Sequence, residues 1–138
     1  MKVSLIQPQR TGESQYLTMD EPHSGLGYLA AEAEESGVSV QVLDCKLLGI
    51  ANDECVRRVR KFKPDVVGIT ARTPDIIDAA RLAQDIRKEV SCFRVVLGGA
   101  HATGTGVECL REFKAFDHAV VGEGEGVWRS LLDLWRNG

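Results

Sequence analysis

Val95-Val96-Leu97-Gly98-Gly99-Ala100-His101-Ala102-Thr103 joins an apolar run to a loop opened by two adjacent glycines. The run predicts a buried strand, and the glycine pair strips side-chain bulk from its carboxyl end, where a ligand can approach bare backbone. Read alone, the same pair is a turn and the residues after it a helix start. The company the stretch keeps decides between the two.

Upstream, Val66-Val67-Gly68-Ile69 is a second continuous apolar run, the pattern of a parallel strand covered by helices on both faces. Thr70-Ala71-Arg72-Thr73 is its carboxyl-end loop, with Thr73 expected as N-cap and Pro74 as the first residue of a helix whose Ile76, Ala79, Ala80, Ala83, Ile86 and Val90 form one stripe. Residues 2–7 read as a first strand. The polar segment 8–24 after it is long for a structureless connection and is expected to cover or clasp a ligand. Leu26, Leu29, Ala30 and Ala33 recur with helical spacing, and Ser36-Gly37 ends that helix. Val38, Val40 and Val42 alternate with polar residues in a strand ending at Leu43-Asp44, which belongs at a sheet edge. Asn52 is expected to cap a helix with Val56, Val59 and Phe62 on its inner face, stopped by Pro64. Downstream, 105–113 reads as a short helix, 118–121 as a fifth strand and 125–135 as a last helix.

Alternating strands and helices with near-continuous apolar strands predict an α/β fold: a three-layer Rossmann-like (flavodoxin-like) domain with a five-stranded parallel sheet in the order 2-1-3-4-5. Ligands of such sheets bind beyond the carboxyl ends of the strands, at the switch point between the first and third. Loops 8–24, 70–73, 98–104 and 122–125 therefore converge on one mouth.

A chain of 138 residues, read as one domain over 1–138, buries roughly two-thirds of its unfolded surface and needs no staples. Its 27% charged and 43% hydrophobic residues are an ordinary globular balance, and a net charge of -3 without a basic stripe argues against a nucleic-acid surface. Cys45, Cys55, Cys92 and Cys109 fall in or beside apolar segments at no ligand spacing, which predicts reduced thiols, and no metal-ligand set is assigned. No signal-peptide core and no membrane-length apolar run occur, so a soluble cytoplasmic protein is expected.

Four motif readings compete for the mouth. Gly25-Leu26-Gly27-Tyr28-Leu29-Ala30 matches the dinucleotide pattern G-x-G-x-x-A, with Asp44 where a ribose-binding acid belongs, but a long loop separates these glycines from the first strand. This NAD or nucleotide-binding reading is the alternative. A phosphorylated receiver needs acids after the first strand, an Asp ending the third and a Lys ending the fifth, where this chain has Gln7, Thr70 and Gly122. A flavodoxin phosphate loop needs Ser and Thr where Gln7-Pro8-Gln9-Arg10 stand.

The fourth reading rests on Pro22-His23-Ser24-Gly25-Leu26-Gly27-Tyr28-Leu29-Ala30-Ala31, Lys63-Pro64-Asp65-Val66-Val67-Gly68-Ile69-Thr70-Ala71, Gly98-Gly99-Ala100-His101-Ala102-Thr103 and Phe116-Asp117-His118-Ala119-Val120-Val121-Gly122-Glu123-Gly124-Glu125. In this order and spacing they resemble the cobalamin-binding domain at the N-terminus of cobalamin-dependent radical SAM enzymes. The resemblance implies a Rossmann-like fold holding a corrin over the strand ends. It sets Gly98 and Gly99 against the nucleotide tail, Thr70, Arg72 and Thr73 beside the corrin's lower face or propionamides, and His101 and Thr103 at the tail or rim. Pro22, Gly25, Leu26, Gly122, Glu123 and Glu125 complete the implied cofactor-binding set. Helix capping is the competing role of His101 and Thr103, and favourable interaction with the last helix's dipole that of Glu123 and Glu125. Bulk at Gly99 is then expected to block the cofactor without unfolding the domain.

Two departures matter. Methionine-synthase-type cobalamin proteins carry D-x-H-x-x-G, whose His ligates cobalt. His23 here has neither Asp two before it nor Gly three after, and the radical SAM group that the chain resembles generally lacks that ligand, so the resemblance implies base-off cobalamin without histidine ligation. Nor does any C-x-x-x-C-x-x-C occur, so no catalytic residue is assigned, and the iron–sulfur cluster and S-adenosylmethionine of a radical SAM methyltransferase or cyclase belong to a domain or partner outside this chain. The chain is read as an N-terminal module of such an enzyme or a free-standing partner of it.

Overall fold

A computed structural model describes residues 1–10, 23–91 and 94–138. Pro22, most of the 8–24 loop and Cys92 lie outside the described residues.

The strands β1 (Lys2–Gln7), β2 (Ser39–Asp44), β3 (Val66–Thr70), β4 (Arg94–Gly98) and β5 (His118–Ala119) form one parallel sheet in the order β2-β1-β3-β4-β5, as the patterning requires. The helices are α1 (Ser24–Glu35), α2 (Cys45–Leu48), α3 (Asn52–Phe62), α4 (Ile76–Glu89), α5 (Ala100–Thr105), α6 (Glu108–Glu112) and α7 (Gly124–Asn137).

Period-two alternation sends each strand's side chains into two separate cores. Val67, Ile69, Val95 and Leu97 face α3 and α4, meeting Val59, Ala79, Leu82 and Ile86. Val3, Leu5, Val66 and Val96 face α1 and α7, meeting Leu26, Ala33, Trp128 and Leu132. On that second face Leu5, Gly68 and Val96 stand side by side across β1, β3 and β4, and Thr70 and Gly98 pair one row further on. Leu5 Cδ2 leans into the space above Gly68, 2.9 Å from where a β-carbon would stand, whereas a β-carbon on Gly98 meets nothing within 4 Å, so the sheet is hollow there, where α1 and α7 begin to cover it.

Several local expectations are corrected. Ala51 occupies the N-cap of α3, and Asn52 is its first helical residue, donating its side-chain amide to Asp85 Oδ2 at 3.1 Å. Thr73 does not cap α4: Thr73–Asp75 form a 3-10 turn capped by Arg72, because Pro74 sets a tight first turn before the α-helical bonds begin. The helix expected over 105–113 is the shorter α6, and most of the loop expected over 98–104 is itself helical as α5; the two part at Gly106, whose φ of 58° lies in the left-handed region. β5 is shorter than its apolar run: Val120 still donates its N–H to the Leu97 carbonyl at 2.9 Å, but the strand itself ends at Ala119. Cys45, Cys55 and Cys109 are free and buried, and among the described residues no helix is long and apolar enough to cross a membrane.

Candidate functional site

Above the hollow lies a cavity of about 330 Å³. Its floor is Leu5, Gly68, Val96, Thr70 and Gly98; its walls are the first turns of α1 and α7, with Leu26 and Leu29 facing Val120 and Trp128. Trp128 is 3% exposed, and its indole N–H donates to the Leu29 carbonyl at 3.2 Å, tying the two walls together. The slot is apolar in depth and ringed at its mouth by His23, Glu123 and Glu125.

Eight of the residues singled out in the sequence meet here: Gly25, Leu26, Thr70, Gly98, Gly99, Gly122, Glu123 and Glu125. Glu123 is the N-cap residue of α7 but makes no side-chain cap bond, and Glu125 stands in the first turn, where a carboxylate meets the positive end of the helix dipole. Arg72 lines a second cavity alongside the first.

Thr73, His101 and Thr103 line neither cavity. None of them caps a helix, since α5 starts at Ala100 behind Gly99. His101 is buried against the edge of Phe113 with Nδ1 3.2 Å from Thr73 Oγ1, and Nε2 has no hydrogen-bond partner among the described residues. Thr103 Oγ1 accepts the Gly122 N–H at 3.0 Å and donates to the Gly99 carbonyl at 3.2 Å. These three side chains brace the loops that carry the glycines.

The glycine pair divides its work. A β-carbon on Gly98 meets nothing within 4 Å and enters the cavity, whereas one on Gly99, at φ 93°, sits 2.7 Å from both the Ala71 carbonyl oxygen and Thr70 Oγ1. Gly99 is thus demanded by the fold itself, and the expectation that bulk there leaves the domain intact is corrected.

His23 caps α1: Nδ1 accepts the Leu26 N–H at 3.2 Å. Its backbone N–H donates to Asp44 Oδ2 at 3.0 Å, while Asp44 Oδ1 caps α2 through the Leu47 N–H at 3.2 Å. Asp44 is therefore committed to backbone and is 8% exposed, and Gly25 and Gly27 are helical positions in α1 rather than a turn after β1. Both features overturn the geometry a dinucleotide fingerprint requires.

Leu5, Leu29, Gly68, Val96, Val120 and Trp128 escaped the sequence reading as site residues because their apolar character reads as core. Gly68 carried a usable signal: a glycine inside a buried strand marks close approach of a ligand or of neighbouring backbone.

A doubly wound parallel sheet with an apolar, glycine-floored slot at its β1/β3 switch point defines a cofactor-binding Rossmann-like module. A family profile for the B12 binding domain matches residues 16–132, and the chain belongs to that family. It is 33% identical, over all of its length, to 30% of an uncharacterized methyltransferase of Pyrococcus horikoshii. It is 34% identical, over 96% of its length, to 24% of the anaerobic magnesium-protoporphyrin IX monomethyl ester cyclase of Rubrivivax gelatinosus. The chain thus spans less than a third of each of these relatives. The fold matches the cobalamin-dependent S-adenosylmethionine radical enzyme OxsB with aqua-cobalamin bound, with a TM-score of 0.81 at 14% identity over 99% of this chain and 19% of that one.

The residues present fit this cofactor. A cobalamin joins a wide corrin fringed with amides to a nucleotide tail ending in a flat aromatic base. The slot between α1 and α7 has room for a nucleoside-sized group, apolar walls that suit a flat base and an open floor at Gly98, and it is far too small for a corrin.

Proposed function

We propose that this chain binds cobalamin base-off, its nucleotide tail in the slot between α1 and α7 and its corrin over the carboxyl ends of β1, β3 and β4, as the N-terminal module of, or a partner to, a radical SAM methyltransferase or cyclase. The observation that carries this reading is the tail-sized apolar slot floored by Gly68 and open at Gly98. The methyltransferase and the cyclase among the relatives, each more than three times as long as the matched segment, support the modular role. Since the sequence holds no C-x-x-x-C-x-x-C, the cluster and S-adenosylmethionine belong to that further domain or partner. A cytoplasmic location goes with this reading, since a radical SAM partner works among reduced thiols.

The tautomer of His23 favours a cobalt without a histidine ligand. A nitrogen that accepts a hydrogen bond carries no proton, so the Leu26 N–H at Nδ1 leaves the ring's proton on Nε2. Ligation through Nε2 needs the reverse arrangement, with Nδ1–H donating to a carboxylate or carbonyl. Asp44, the nearby carboxylate, takes the His23 backbone N–H instead.

Equilibrium dialysis against hydroxocobalamin tests the proposal. Saturable retention above that of an unrelated Rossmann domain is expected; absence of retention together with saturable binding of NAD would replace it with the dinucleotide alternative.

A further inference from the structure

Beside the slot, and sharing His23 and Thr70 with it, lies a second cavity of about 280 Å³ of opposite character. Arg10, Lys46 and Arg72 line it, and among the described residues Asp75 is its one lining carboxylate. Asp75 is divided between the two arginines: Arg10 Nε meets Oδ1 at 2.6 Å and Arg72 Nε meets Oδ2 at 3.3 Å. The Arg10 and Asp75 side chains are only 11% and 17% exposed, so this pair is built into the wall, whereas Arg72 is 56% exposed and touches Asp75 through Nε alone. Lys46, on α2, has no carboxylate partner among the described residues. The neighbouring Asp44 is spent on two backbone N–H groups.

Among the described residues, then, one carboxylate faces three cations. Burial pushes the Asp75 carboxyl up, yet the bond and charge of Arg10, with Arg72, more than offset this and hold it below its ordinary value, so its own charge is secure. A corrin laid across this mouth brings neutral amides along its edge, and covering Lys46 and the half-exposed Arg72 with it is costly unless an anion meets them.

We infer that the second cavity is an oxyanion site, in which Lys46 and Arg72 grip a phosphate- or carboxylate-type group while the Arg10–Asp75 pair fixes Arg72 behind it. Guanidinium and ammonium donors lining one cavity suit such a group through charge-assisted hydrogen bonds. The inference rests on the cobalamin reading only for one of its two sources of oxyanion: the cofactor's own phosphodiester, or a separate anion such as a substrate carboxylate or phosphate.

The test uses Lys46→Gln, Arg72→Gln and the double variant, all at exposed or half-buried positions that leave the Arg10–Asp75 pair in place. Affinity is measured for hydroxocobalamin and for dicyanocobinamide, which lacks the nucleotide and its phosphate, and the thermal midpoint of the cofactor-free chain is measured with and without inorganic phosphate at low salt. If the phosphodiester is the ligand, the double variant binds cobalamin about tenfold more weakly or worse and cobinamide unchanged. If a separate oxyanion is the ligand, phosphate raises the wild-type midpoint but not that of the double variant, and cobalamin affinity is unaffected. Equal losses for both corrinoids would assign the cations to corrin amides and overturn the inference. So would no loss for either with no phosphate effect. Should the wild type bind neither corrinoid, the cobalamin reading fails on its own and the phosphate arm still decides this one.

Discussion

Gly99 turns back on Ala71 so closely that a β-carbon at 99 would lie 2.7 Å from the Ala71 carbonyl oxygen, the same oxygen that accepts the His101 N–H at 3.1 Å. The loops after β3 and β4 are locked at this point, and the lock sets Gly98 facing the slot. Gly98→Leu therefore fills the space of the nucleotide tail at a position with room for a side chain. Cobalamin affinity is expected to fall at least about tenfold, or roughly 1.4 kcal/mol, with little change in the cofactor-free thermal midpoint. Gly99→Leu carries both a positive φ and a backbone clash and is expected to lower cofactor-free stability by about 3 kcal/mol. Dialysis paired with thermal melts checks both, and equal melting losses in the two variants would mean that Gly98 also serves the fold.

Trp128 and Trp135 sit on one helix but report different places. Trp128 is buried in the slot wall, whereas the Trp135 ring lies 4.8 Å from the Arg94 guanidinium and 5.3 Å from the His118 ring, at the amino ends of β4 and β5. Corrins absorb where tryptophan emits, so cobalamin binding is expected to quench fluorescence, and the larger share of that quench should vanish in Trp128→Phe and survive in Trp135→Phe. Quenching carried by Trp135 instead would put the cofactor at the wrong end of the sheet.

Asp75 makes acid stability a readout of the wall between the two cavities. Its folded-state pKa is lowered by Arg10 and Arg72, so the unfolded chain binds its proton more readily; the resulting stability is present above the ordinary value of 3.8 and is lost as pH falls through the lower folded value. Asp75→Asn leaves Arg10 buried without its counter-charge and is expected to cost about 2 kcal/mol near neutrality. Urea unfolding of both proteins should show that difference shrinking below pH 3.8; a difference constant down to strong acid would assign it to packing rather than charge.

The sheet order and both faces of the core were legible because hydrophobic period and strand run length are local properties: the alternation of Val38, Val40 and Val42 with Ser39 and Gln41 marks β2 as an edge, and Val66, Val67 and Ile69 mark β3 as central. The glycines and acids of the site were legible as loop chemistry. What escaped depends on neighbours distant in sequence. Nothing local separates Trp128, which walls the slot, from Leu132 one turn on, which is plain core. Likewise Arg10 and Asp75 are 65 residues apart, and their pairing appears only once β1 and β3 lie side by side. The placement of Asn52 and Thr73 was misjudged for a related reason: each side chain has a tertiary partner, Asp85 for one and His101 for the other, that outcompetes the local cap.

His23 is the imidazole best placed to reach the cofactor, since it lines both cavities at the mouth. Its Nδ1 is nevertheless held as the acceptor for the Leu26 N–H, and exchanging that bond for cobalt ligation through Nε2 would move the proton to Nδ1, set it against a donor and uncap α1. The exchange would forfeit about 1 kcal/mol of helix capping before any metal bond formed. His23→Ala is therefore expected to lower thermal stability slightly and leave the cobalt coordination unchanged. With the bound cofactor reduced to Co(II), paramagnetic resonance separates the cases, because one axial nitrogen splits each cobalt line into three and water or an empty position does not. Wild-type and mutant spectra without triplet splitting are expected. Triplets in the wild type that disappear in His23→Ala would make His23 the axial ligand, show that cofactor binding breaks the α1 cap, and move the chain toward the histidine-ligated cobalamin proteins.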